Sequence, residues 1–206
     1  MVLDLMIHDL DLLLTLVQSP VISVEAIGAS IFGPHEDVAN ARLGFDNGCV
    51  ATVTASRASA NPVRRMRVWS PEGYAGLDFA RRHLTLVQPS EQLRRHGLDV
   101  RKLDRASAAR LKEQLFDRYL QVHHTDCSGG DQLTCELQDF IHCVQTGGEP
   151  RVNGEQARDA LALAARIVDR IEAHQWEGSV GGPIGPRQFP KPCGPLFQVG
   201  TGKAAA

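Results

Sequence analysis

Residues 1–17, MVLDLMIHDLDLLLTLV, form the densest apolar run in the chain, and the polar positions inside it are regularly spaced. At about 100° per residue on a helix, Asp4, His8, Asp11 and Thr15 fall in one stripe about 60° wide. Asp9 is the exception, and the other faces are Leu, Ile, Met and Val. A helix that is apolar nearly all round is a buried one, so the stripe is expected to line a cavity or meet buried polar partners. An Asp and a His one turn apart can share a proton or hydrogen-bond the same ligand. The same two residues also read as an Asp near the positive end of the helix dipole and a satisfied core histidine.

After Gln18-Ser19-Pro20 the apolar period changes from that of a helix to that of a strand. Residues 21–32, 38–45 and 50–58 are predicted strands, the last two joined through Asp46-Asn47-Gly48, whose Asn and Gly tolerate positive φ. Residues 65–69, 75–79 and 83–87 continue as strands separated by short polar returns, which predicts an antiparallel meander. Residues 88–105 read as a solvated connection, 107–116 as a short surface helix and 118–124 as a further strand. Helix signals then return. Asp131 opens a helix over 132–146 that Gly147-Gly148 stops. Asn153 caps a helix over 154–174, with Gln156 placed to complete a capping box.

This order of helix, strands and helices predicts an α+β domain, a largely antiparallel open-faced sheet with helices packed on one face. The domain is expected over residues 1–177, and 178–206, rich in Gly and Pro without periodicity, as a flexible tail. At 206 residues, 43% apolar and 22% charged, the chain has the composition of an ordinary globular protein. A formal charge of −2 and the lack of a basic run leave no electrostatic footprint for nucleic acid. The opening run is too short and too acidic to span a membrane and lacks the basic start of a signal peptide, so a cytoplasmic protein is expected. Five widely spaced cysteines fit neither a disulfide framework nor a CxxC metal site, and no metal is expected.

Three stretches together resemble the C-terminal half of the Gfo/Idh/MocA family of oxidoreductases. Residues 3–11 (LDLMIHDLD) are similar to its D-x-x-x-H-x-x-D segment. Ala55-Ser56-Arg57 followed by 67–74 (RVWSPEGY) resembles its strand and hairpin. Residues 137–147 (LQDFIHCVQTG), leading through 149–152 into 154–157, resemble its closing helices. The resemblance implies a substrate-binding domain whose open sheet face often makes an oligomer contact, paired in the family with a Rossmann domain that holds NAD or NADP. It also implies that Asp4 and His8 match the family's acidic residue and its catalytic histidine, which takes the substrate's hydroxyl proton. No G-x-G-x-x-G follows a strand, so the Rossmann domain is expected to be missing or separate and no cofactor to be bound by this chain alone.

Other candidates are weaker. Asp11 could orient His8 or touch substrate, or serve as a structural carboxylate. Arg57 and Arg65 are candidate contacts for a carbohydrate-like substrate carrying phosphates, such as a nucleotide sugar; solvated strand charges are the alternative. His123 and His124 are adjacent on a predicted strand and so point to opposite faces, which disfavours a shared metal ion. Two functions follow. One is the substrate-binding and proton-transfer half of an NAD(P)-dependent sugar or polyol dehydrogenase, inactive without its cofactor domain. The other is a non-enzymatic binding or dimerisation module derived from the same family.

Overall fold

The computed structural model describes residues 1–98, 101, 104–127, 129–177, 182 and 184–188. In chain order the elements are α1 (Ile7–Val17), β1 (Val21–Ala29), β2 (Val38–Phe45), β3 (Val50–Ser56), β4 (Arg65–Ser70), β5 (Gly73–Asp78), β6 (His83–Pro89), α2 (Glu91–His96), α3 (Arg105–Gln114), β7 (Leu120–Asp126), α4 (Gln132–Thr146) and α5 (Gly154–Ala173). The fold is α+β, and all strand pairs described are antiparallel. The strands form two sheets, β1-β2-β3 and β4-β5-β6-β7. The chain correspondingly divides into two compact units, Met1–Ala60 with His142–Ala206, and Asn61–Ile141.

The first unit holds the core. Alternation places Val24, Ala39, Ala41, Leu43, Phe45, Val53 and Ala55 on one face of the three-stranded sheet, all buried. Against that face lie Val2, Met6 and Leu10 from the opening helical segment and Leu163, Ala164, Ile167 and Ile171 from α5. The small residues of β1 and β2 let the helix approach closely. At Gly28 an added Cβ would sit 2.8 Å from Ile171 Cγ2. Each fully buried Leu, Ile, Met or Phe side chain contributes about 1.5–3 kcal/mol of transfer free energy.

Local signals fix the ends of these elements. The β2–β3 hairpin closes with Gly48 at φ 82° and its N–H donating to the Phe45 carbonyl at 3.0 Å, while Asn47 Oδ1 accepts from Cys49 N–H at 3.0 Å. Both halves of the capping box form: Asn153 Oδ1 accepts from Gln156 N–H at 3.0 Å, and Gln156 Oε1 accepts from Asn153 N–H at 2.9 Å. Helix α1 ends on Gln18 in the left-handed region at φ 49°.

Several sequence expectations shift. The opening segment begins with a π-helical turn over Val2–Met6, where the Ile7 N–H reaches the Val2 carbonyl. It is buried on one face only: Leu3, Leu5 and Leu16 are exposed, because the sheet and α5 cover a single side. Strand β1 stops at Ala29 instead of running to 32, because the Asp37 carboxylate takes the N–H groups of Ile31 and Phe32 out of strand pairing. The connection predicted over 88–105 contains α2, capped by Ser90 Oγ accepting from Leu93 N–H at 3.3 Å. Strand β7 lies two residues later than predicted.

In the second unit the register sorts side chains cleanly. Met66, Val68, Ala75, Leu77, Leu84 and Leu86 share one face; Arg65, Arg67, Asp78, His83, Thr85, His124 and Asp126 share the other. None of the strand residues of this sheet is fully buried. Helix α4 forms where the periodicity predicts it, with Leu133, Leu137, Phe140, Ile141 and Val144 along one exposed side.

Much of the expected tail, residues 178–181, 183 and 189–206, lies outside the described residues. Within it, Ile184 pairs with Trp176 through two backbone hydrogen bonds of 2.6 and 3.0 Å. Arg187 is tied to the first unit: its carbonyl accepts from Ser30 N–H at 2.8 Å, and its guanidinium donates to Pro34 O and Glu172.

The core assignment predicts a contrast along one helix. Ile167→Ala should lower stability by about 2–5 kcal/mol, and Leu161→Ala, on the exposed side of α5, by no more than about 0.5 kcal/mol, both read from urea unfolding monitored by circular dichroism.

Candidate active site

At one end of the first unit, the start of the helical segment, the loop before β2 and the exit of β3 meet. Asp4 lies in the π-helical turn and His8 in the first turn of α1, both exposed. A π-helical turn widens the helix locally and often marks a functional position. Arg57, one residue beyond β3, donates from its guanidinium to Asp4 Oδ2 at 2.6 Å. That hydrogen bond, followed by the guanidinium's charge, holds the Asp4 carboxyl below the usual aspartate range, although burial acts in the opposite direction.

Two acidic neighbours, Glu36 and Asp37, stand just before β2, each only 6% exposed. Glu36 Oε1 accepts from the Val2 N–H at 3.0 Å and from the Met1 amino group at 3.2 Å, and so caps the turn that carries Asp4. Burial pushes the Glu36 carboxyl up, but the hydrogen bonds, led by Val2 N–H, outweigh it and the net direction is down. Asp37 Oδ2 accepts from Phe32 N–H at 2.7 Å and Ile31 N–H at 2.8 Å, which holds its carboxyl below the ordinary value. Its backbone carbonyl accepts from the Arg57 N–H at 2.9 Å. Neither the hydrophobic pattern nor the motifs point to this pair. The available signal was an Asp placed a few residues after a strand and a Gly-Pro, where Asp side chains commonly capture backbone N–H groups.

The structure therefore brings Asp4 and Arg57 into direct contact and puts His8 on the following turn. Asp11, farther along α1, instead lines a groove of about 550 Å³ with Thr15, Gln18, Gln156, Asp159 and Arg166. Leu14, Val21 and Leu163 supply apolar lining. Arg65 belongs to the second unit, where its Nε donates to Asp78 Oδ2 at 2.9 Å.

The histidines of β7 do point to opposite faces: His123 pairs in register with Leu86, and His124 with Thr85. His124 Nδ1 lies 3.3 Å from His83 Nε2 and 3.2 Å from Thr85 Oγ1, and His83 Nδ1 lies 2.8 Å from Asp126 Oδ1. The two rings stack at 5.3 Å. Among the described residues no group of three or more His, Cys, Asp or Glu side chains is arranged to hold a metal ion. Cys49, Cys127, Cys135 and Cys143 are free thiols, and Cys193 lies outside the described residues.

A nicotinamide dinucleotide would need a glycine-rich turn between a strand and a helix, with the pyrophosphate at the helix N-terminus. The described residues do not fit it. Their strands pair only antiparallel, and no glycine-rich turn among them joins a strand to a helix.

Comparison with known proteins gives this arrangement its class. The model of the GFO/IDH/MocA C-terminal domain matches residues 1–75, the stretch that contains Asp4, His8, Glu36, Asp37 and Arg57. The UDP-N-acetylglucosamine 3-dehydrogenase of Acidithiobacillus ferrooxidans is 30% identical over 172 residues, covering 84% of this chain and 49% of that protein. The solved structure of that dehydrogenase, GnnA, superposes with a TM-score of 0.66 at 27% identity, over 82% of this chain and 48% of its own. A levoglucosan dehydrogenase in complex with NADH and levoglucosan shares the fold, with a TM-score of 0.61 at 17% identity over 81% of this chain and 47% of its own. The chain is thus similar to the C-terminal domain of the Gfo/Idh/MocA family over residues 1–75, and to part of the UDP-N-acetylglucosamine 3-dehydrogenase over most of its own length. It spans about half the length of the relatives it matches. Among the described residues no helix is long and apolar enough to cross a membrane.

The depressed carboxyl of Asp37 has a stability consequence with a definite sign. The folded chain holds this proton less tightly than the unfolded chain, whose aspartates titrate near the ordinary 3.8. The contribution is therefore present above that value and lost as pH falls through the lower folded value. Asp37→Asn should lower the urea midpoint at pH 6 and make its fall below about pH 4 shallower than in the wild type; parallel curves would contradict this.

Proposed function

We propose that this chain is the substrate-binding and proton-transfer half of a sugar or polyol dehydrogenase, with a nucleotide sugar as the favoured substrate class. The observation that carries the proposal is the placement of Asp4 and His8 on successive exposed turns at the start of the helical segment, inside the stretch that matches the family domain. Oxidation of a CH–OH group releases a proton from the hydroxyl and a hydride from the carbon. Histidine is suited to the first task, since it exchanges a proton readily near neutral pH. His8 accepts the hydroxyl proton, and Asp4, held ionised by Arg57, supplies a fixed negative charge and an acceptor for a substrate hydroxyl. The hydride acceptor, NAD or NADP, is assigned to a separate Rossmann domain, since the described residues hold no dinucleotide cradle. The favoured substrate class rests on the similarity to the UDP-N-acetylglucosamine 3-dehydrogenase.

The test is kinetic. In a protein joining this chain to a family Rossmann domain, assayed against nucleotide sugars and polyols with NAD and NADP, His8→Ala should lower kcat by about 10²–10⁴-fold. A kcat within about twofold of the wild type would remove His8 from the chemistry.

A second reading, a binding or dimerisation module, is favoured by the sheet of the second unit. Its apolar face, with Met66, Val68, Leu77, Leu84 and Leu86, has no fully buried member and suits a second copy of the chain. Sedimentation velocity should then show a dimer that Leu84→Glu converts to monomer; a monomeric wild type would dismiss this reading.

A further inference from the structure

The Asp4–Arg57 ion pair is exposed on both sides, with side-chain accessibilities of 60% and 46%. Pairs this open to water add little to folding stability. Its consequence is local: which way the carboxylate faces, and what charge it carries.

The segments that carry the two partners are also anchored separately, to two adjacent residues. On the helix side, Glu36 Oε1 holds the Val2 N–H, two residues before Asp4, at 3.0 Å. On the strand side, the Asp37 carbonyl holds the Arg57 N–H at 2.9 Å. Glu36 and Asp37 are both buried, and Asp37 is further fixed by the two N–H groups its carboxylate accepts. A long arginine side chain loses much rotamer freedom when it is held in one geometry. A common anchor brings the backbones of both partners to the right separation before the pair forms, leaving only side-chain freedom to be lost. Both anchoring atoms sit within a single dipeptide step, so little chain separates them.

We propose that Arg57 is a positioning residue for Asp4, and that the buried Glu36-Asp37 dipeptide is the bracket that sets the distance between them. On this assignment the guanidinium acts on the substrate through Asp4, orienting the carboxylate oxygens and keeping them charged. The Asp37 and Glu36 carboxylates also favour the charged guanidinium electrostatically, more weakly than Asp4 does. The term "positioning" rests on the reading of Asp4 and His8 as the proton-handling pair; the bracket itself does not.

The experiment uses the chain as it stands, without substrate. The Asp4 side-chain carbon is followed by ¹³C NMR as pH is varied, its resonance assigned with Asp4→Asn. In the wild type Asp4 should titrate below ordinary aspartate. Arg57→Gln should move the midpoint upward, Arg57→Lys should restore part of the shift, and Glu36→Ala, which frees the Val2 N–H, should move it upward by less than Arg57→Gln. Raising ionic strength from about 0.05 M to about 1 M on the wild type should also move it upward, and this arm stands if a variant fails to fold. A midpoint unchanged in a folded Arg57→Gln, or insensitive to salt, overturns the pairing. One unchanged in a folded Glu36→Ala overturns the bracket. The titration can fail while the kinetic test of His8 succeeds, and the reverse, so the two ideas are separable.

Discussion

The seating of one amphipathic edge, Val2, Met6 and Leu10, on the inner face of the β1-β2-β3 sheet is the constraint on which the rest depends. Those three side chains recur every four residues and are fully buried. With that edge inward, the stripe holding Asp4 and His8 has to face away from the core. Helix α5 closes the same face from the other side, and its approach is possible because β1 and β2 present Gly28, Ala39 and Ala41 where larger side chains would hold it off. Core packing and site exposure are thus two results of one periodic pattern.

The chemistry at the helix start is built from ordinary parts. A backbone that begins a helix leaves N–H groups unsatisfied, and Glu36 meets one of them. A loop that leaves a strand early does the same, and Asp37 meets two. These capping carboxylates are buried and structural, whereas Asp4 is exposed and accepts from the Arg57 guanidinium. The division separates acids that hold the backbone from an acid available to a ligand. It also explains why Asp4, Glu36 and Asp37, three of the six carboxylates within the first 37 residues, do different work although their residue types are nearly alike.

Much of the architecture was legible in the sequence because it rests on local signals. The Asn47-Gly48 turn, the Asn153/Gln156 capping box and the apolar period of α4 each act over a few residues and appear where expected. The candidate site was legible in part. Asp4 and His8 follow from helical spacing and from the family resemblance, but the Arg57–Asp4 contact joins residues 53 positions apart and depends on strand pairing that a linear reading does not supply. The same holds for His83 and His124, neighbours across a strand pair though 41 positions apart. Asp11, grouped with Asp4 by angle alone, lines a different surface because a stripe 60° wide runs the length of a helix while Asp4 and His8 occupy only its first turns. The exposed leucines of the opening segment were hidden for a related reason: composition shows how apolar a helix is, and only packing shows which sides are covered.

In the proposed function this chain contributes a proton acceptor and a substrate surface, and the hydride acceptor is held elsewhere. The most direct test is the formation of reduced nicotinamide, followed by its near-ultraviolet absorbance, with a nucleotide-sugar substrate and either NAD or NADP. The chain alone should produce none above background, and the chain joined to a family Rossmann domain should turn over. Turnover by the chain alone, or none by the joined protein with any nucleotide sugar or polyol, would contradict the account.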